Sequence, residues 1–84
     1  MKNIYIVTGA TGEYSSHREW AVMAYFNKEA AHSHATNAAR RAEELAVARA
    51  DRYSAETGPN EFDPDMQMDY TGTEYFVRTV PLWV

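Results

Sequence analysis

Asn3-Ile4-Tyr5-Ile6-Val7-Thr8 runs into Gly9-Ala10-Thr11-Gly12-Glu13-Tyr14; Glu19-Trp20-Ala21-Val22-Met23-Ala24-Tyr25-Phe26 then runs into Asn27-Lys28-Glu29-Ala30-Ala31. The first and third of these stretches are dense in β-branched and aromatic residues, which suit a pleated, half-buried surface. Ile4 and Ile6 face one way and Tyr5 and Val7 the other; Trp20, Val22, Ala24 and Phe26 alternate with Ala21, Met23 and Tyr25. Both faces are fairly apolar, as expected where a helix covers one face and the other is partly shielded. Residues 9–18 form a connection too long for a two-residue hairpin. Gly9 and Gly12 supply backbone freedom there, and Ser15 and Ser16 can bond locally to the backbone. The order strand, strand, helix is thus set in the first third of the chain.

The helix that follows has a start and a stop. Asn27 is a favoured N-cap, Glu29 sits in the first turn, and Phe26 is placed to staple onto Ala30 or Ala31. Ala31, Ala35, Ala38, Ala42, Leu45, Ala46 and Tyr53 recur on one face. Gly58-Pro59 is a stop signal, so the helix is expected over about residues 28–55. At 1.5 Å per residue that is roughly 42 Å, against about 23 Å for a seven-residue strand, so the helix should overhang the sheet. Residues 57–65 read as loop. Met66, Met68 and Tyr70 alternate with Gln67 and Asp69 as in a half-buried strand, Thr71-Gly72 makes a turn, and residues 74–80 are a second strand that Pro81 ends. The expected fold is α+β in one domain, residues 1–84. It is an antiparallel sheet of three or four strands, in the order β-β-α-β-β, covered by one long helix.

Eighty-four residues leave no room for a catalytic domain beside a cofactor domain. The chain has no cysteine, which excludes a disulfide scaffold, a thiolate nucleophile and a thiolate zinc site. No apolar run reaches the ~20 residues of a membrane span, and a cytoplasmic protein with no membrane contact is expected. The net charge of −4 is unevenly spread. Residues 54–84 hold Glu56, Glu61, Asp63, Asp65, Asp69 and Glu74 against Arg78 alone. Clustered carboxylates argue against direct nucleic-acid binding, which needs clustered Lys and Arg, and permit docking on a basic partner. These six acids are the candidate partner-binding residues.

Three further sites are weighed and set aside. Val7-Thr8-Gly9-Ala10-Thr11-Gly12 resembles the phosphate loop of extended short-chain dehydrogenases. Ser15 stands where the third glycine belongs, and a strand follows where a helix is needed, so no dinucleotide cofactor is expected. His32 and His34 are two apart on a helix and point about 200° away from each other, so they cannot share an ion. Glu61, Asp63, Asp65 and Asp69 match no calcium-loop spacing, and Pro64 intervenes. Neither metal nor catalytic residues are expected. The aromatics exceed what so small a core hides, and exposed ones beside acids suit a protein-binding surface.

Ile4-Tyr5-Ile6-Val7-Thr8, Gly12-Glu13-Tyr14-Ser15-Ser16, Trp20 to Phe26 and Lys28-Glu29-Ala30-Ala31 together resemble a class of small phage and prophage proteins. In these a "YIV…GEYS" strand and turn precede a second strand and an alanine-rich helix, and a strand like Tyr75-Phe76-Val77-Arg78-Thr79-Val80 closes the chain. The resemblance covers about half the sequence. Ser16 stands where Asp is common, and the glycine-alanine-threonine insertion lengthens the loop. It implies a non-enzymatic protein that binds and blocks a host complex, as anti-CRISPR proteins do. The partner would be a host protein or nucleoprotein complex with a basic surface. A monomer is the expected state. The alternative is a small homodimeric module that binds a metabolite or metal.

Overall fold

The computed structural model describes residues 2–50, 58–68 and 72–83. Three strands form one antiparallel sheet: β1 (Lys2–Thr11), β2 (Arg18–Tyr25) and β3 (Thr73–Leu82), in the order β2-β1-β3. One helix, α1 (Lys28–Ala50), lies over β3 and β1 more than over β2. The α+β class and the antiparallel sheet are as expected. The expected strand at 66–70 is not formed at residues 66–68, and its remainder lies outside the described residues.

Two boundaries differ from the sequence reading. β1 does not stop at Thr8 but continues through Gly9-Ala10-Thr11, paired on both sides. Gly9 is in the sheet because Trp20, its partner on β2, lies across it. A Cβ at Gly9 would fall 2.6 Å from two atoms of the indole ring. The turn begins only at Gly12, whose φ of +93° suits glycine alone, and a 3-10 turn at Tyr14–Ser16 completes it. Ser16 caps that turn as expected: its hydroxyl donates to Glu13 O at 2.8 Å and accepts from Glu13 N at 3.2 Å. Nor does Pro81 end β3: it pairs with Asn3 inside the strand, which an edge strand tolerates. With ten residues in each long strand, about 33 Å, the sheet matches the about 34 Å of the 23-residue α1. The expected overhang is absent over the described residues; the expected extension of the helix to residue 55 lies outside them.

A bulge in β2 breaks the simple alternation. Val7 pairs with Met23 and Thr8 with Ala21, which leaves Val22 as the extra residue. The parity change puts Trp20, Val22 and Tyr25 on the helix side, while Met23 and Ala24 are exposed. The core is correspondingly thin. Val7, Ala31 and Ala35 form its centre, with Tyr5, Val22, Tyr25, Tyr75 and Val77 packed around them. Of the expected helix face, Ala31, Ala35, Ala38, Ala42 and Leu45 are buried and Ala46 is half-buried, while Tyr53 lies outside the described residues. Asn27 caps α1 through Oδ1, which accepts from Ala30 N at 3.0 Å. Phe26 is not the expected staple. It is 68 % exposed, with the Lys2 ammonium 5.8 Å from its ring centre.

Candidate interaction surface and the buried polar core

The loop of residues 58–68 lies beside α1 on the helix side of the sheet and is held there by a polar core. Across the three strands, Trp20 of β2, Gly9 of β1 and Tyr75 of β3 stand in one row. The missing side chain at Gly9 lets the two flanking aromatics converge on one carboxylate. Trp20 Nε1 donates to Asp63 Oδ2 at 2.8 Å, and the Tyr75 hydroxyl donates to the same oxygen at 2.7 Å. Asp63 is only 2 % exposed and Asn60 1 %. Asn60 shapes the loop around the carboxylate. Its Oδ1 accepts from Phe62 N at 3.0 Å, and its Nδ2 donates to Ala38 O of α1 at 3.0 Å. Backbone bonds from Asp63 N to Asn60 O and from Met66 N to Asp63 O close two consecutive turns.

His34 adds a second anchor. Its Nε2 lies 2.7 Å from Phe62 O, which only accepts, so Nε2 carries the proton. Its Nδ1 lies 2.9 Å from the Tyr25 hydroxyl. In the neutral ring Nδ1 therefore accepts from Tyr25. His34 thus ties β2, α1 and the loop together.

The four described acids of the sequence reading, Glu61, Asp63, Asp65 and Glu74, do not form one surface. Glu61 and Asp65 are exposed on the loop. Asp63, between them, is withdrawn into the core, which corrects its assignment as a partner-binding acid. The correction follows from its two aromatic donors, which stabilise a buried carboxylate that would otherwise be costly. Glu74 is exposed on β3, on the opposite face of the sheet from Tyr75 and the loop. Glu56 and Asp69 lie outside the described residues. The structure adds Arg41 and Glu44 beside the loop: Arg41 lies 3.1 Å from Glu44 and 3.6 Å from Glu61. Among the described residues one guanidinium thus stands between two carboxylates.

The opposite, open face of the sheet carries a second charged group. Glu19 pairs with Arg78 across β1 and with His17 at 3.1 Å. Arg78, then His17, hold the Glu19 carboxyl below the usual range. His17 is raised above the usual imidazole value, first by Glu19 and then by the Gly12 carbonyl, since both ring nitrogens face acceptors. Among the described residues no three His, Asp or Glu side chains converge as a metal would require. With Asp63 only 2 % exposed and bonded to two strands, the polar core fastens the loop to the sheet.

Tyr75 reports on that fastening. Burial, then the hydrogen bond to Asp63 and the charge of its carboxylate, push its hydroxyl well above the ordinary tyrosine value. Unfolded, Tyr75 ionises near pH ~10. A folded-state value above this means that stability is intact below about pH 10 and falls as pH rises beyond it. The Tyr75 phenolate should therefore appear only as the chain unfolds, and Tyr75→Phe should remove that component from an ultraviolet titration. Reversible ionisation of all six tyrosines before any loss of circular dichroism would contradict this placement.

Among the described residues no helix is long and apolar enough to cross a membrane. Comparison with protein-family models, with curated proteins and with solved structures found nothing that matches this chain.

Proposed function

We propose that this chain is a non-enzymatic, phage-type binding protein that occupies a basic, nucleic-acid-binding surface of a host complex, in the manner of an anti-CRISPR protein. The observation that carries the reading is the pairing of exposed Glu61 and Asp65 with buried Asp63 between them. The buried carboxylate fixes the loop, so the two outer carboxylates are presented in a set geometry. A preorganised loop loses little conformational entropy on docking, and this is where affinity is gained. Electrostatic attraction to a basic groove then speeds encounter and sets orientation. Glu74 is not part of this loop surface.

The test uses purified CRISPR effector complexes and their target DNA. The wild-type chain should compete with DNA, and should do so less well as salt rises. Replacing Glu61 and Asp65 with Ser, with Asp63 kept, should weaken competition at least about tenfold, or about 1.4 kcal/mol, with the melting temperature unchanged. Equal competition by the double variant would remove this loop from the interface. No competition by the wild type at any salt would refute the inhibitory reading.

A further inference from the structure

The two edges of the sheet are not equivalent. β2 carries the bulge at Val22, a device that spoils an edge as a template for further pairing. β3 has none: its register with β1 is unbroken from Thr73 to Leu82. Half of the backbone N–H and C=O groups of such a strand point away from its neighbour. Among the described residues no strand pairs with that outer edge. Beside it runs a groove between β3 and α1. One half is lined by His32, Ala35, Thr36 and Ala39 against Tyr75, Phe76 and Val77, with a volume of about 500 Å³. The other continues from Ala39 past Ala42, Glu43 and Ala46 along Gly72, Thr73 and Glu74.

We infer that a second copy of this chain docks on the outer edge of β3, antiparallel and centred on Phe76, joining two three-stranded sheets into one of six strands. The choice of occupant rests on charge. Glu74, Phe76 and Arg78 share one face of β3, two residues apart. In an antiparallel pair with Phe76 opposite Phe76, each Glu74 faces the Arg78 of the other copy. The two-fold axis thus sets an opposite-charge pair on each side of an aromatic pair, both favourable cross-strand combinations. In the single chain Arg78 Nη2 serves Glu19 on β2 and its guanidinium lies over the Phe76 ring, so docking turns this exposed side chain from Glu19 to the Glu74 of the other copy. Pro81 lies beyond this seven-residue overlap, where a missing N–H costs nothing.

The helices fit the same arrangement. α1 lies over the β1–β3 side of the sheet. With strands about 4.8 Å apart, a two-fold beside β3 sets the two helices about 10 Å apart, within the packing distance of helices. The small side chains at Ala39 and Ala46 allow that approach, so each groove is filled by the other copy's helix. This inference is independent of the loop surface and goes beyond the inhibitory reading.

The experiment is a charge exchange between two variants, read by sedimentation. The wild type should sediment at twice the 9.6 kDa of one chain, with a concentration-dependent midpoint. E74R alone should be monomeric, because two arginines then face Arg78. R78E alone should be monomeric, because two acids then face Glu74. An equimolar mixture should form a heterodimer, since both flanking pairs become complementary. R78E also loses the Glu19 pair, so circular dichroism must show each variant folded. Amide exchange on the wild type gives a reading that needs no variant: alternate amides of residues 73–79 should gain protection as concentration rises. A wild type monomeric at millimolar concentration overturns the inference. So does an E74R dimer as tight as wild type, which would place the contact elsewhere. Protection of those amides only when a different protein is added would assign the edge to strand addition by that partner and equally overturn it.

Discussion

Asp63→Ala is expected to cost about 3 kcal/mol. The change removes one acceptor and leaves two donors, Trp20 Nε1 and the Tyr75 hydroxyl, facing a site built to hold a carboxylate. Each buried donor left unpaired costs ~1–3 kcal/mol. Both aromatics are only part-buried, and partial access to water sets the total near the lower end. For a domain of this size the midpoint should fall by about 12–24 °C. Asp63→Asn, which retains an acceptor oxygen, should cost less. The asymmetry of hydrogen bonding supplies a sharper check. In the triple change Asp63→Leu, Trp20→Phe and Tyr75→Phe, donors and acceptor vanish together, so much of the lost stability should return. A thermal melt of Asp63→Ala indistinguishable from wild type would mean that the loop is not held this way.

Gly9→Ala tests the other half of the same arrangement, and two principles give it opposite signs. Replacing glycine by alanine inside a strand removes chain entropy from the unfolded state and ordinarily stabilises by ~0.5–1 kcal/mol. Here the new Cβ falls 2.6 Å from Trp20 Cε2 and Cζ2 and 2.8 Å from Nε1. The indole is tethered at its nitrogen by Asp63, so it cannot swing clear without losing that bond. Overpacking of this kind costs ~1–3 kcal/mol, and the lost charge-assisted bond ~1.5–3 kcal/mol more. The clash wins, with a net loss of about 2 kcal/mol or more in denaturant unfolding. In a Trp20→Ala background the obstruction is gone, and the same change should become neutral or stabilising. Equal effects in both backgrounds would show that Gly9 is needed for some reason other than the indole.

The parts of this fold that were legible in the sequence are those with local causes. Asn27 marks the start of α1 because an N-cap acts within one turn, and the alanine face was readable from its spacing. β3 was found from its β-branched and aromatic run, though not its passage through Pro81. The reading failed where the cause is distant in sequence. Gly9 reads as a turn residue until Trp20, eleven positions on, is seen to lie over it. Asp63 sits in an Asn-Glu-Phe-Asp-Pro-Asp stretch of unmistakable loop composition, and that composition is why it was grouped with Glu61 and Asp65. Its donors are 43 and 12 residues away, and nothing local marks one acid of three as buried. The bulge at Val22 has no compositional sign either, and it alone decides that Tyr25 rather than Ala24 meets the helix.

The two tryptophans are placed so that the chain carries its own optical probe. Trp20 is locked over Gly9 with its nitrogen on a carboxylate, whereas Trp83 is 88 % exposed near the end of the chain. A dissolved collisional quencher reaches the second and is kept from the first. The emission that survives quenching therefore belongs to Trp20, and its wavelength follows whether the loop of residues 58–68 is seated on the sheet. Opening of that loop alone, ahead of any loss of strand or helix, becomes visible in an unlabelled sample. A docking partner that tightens the loop would register in the same channel.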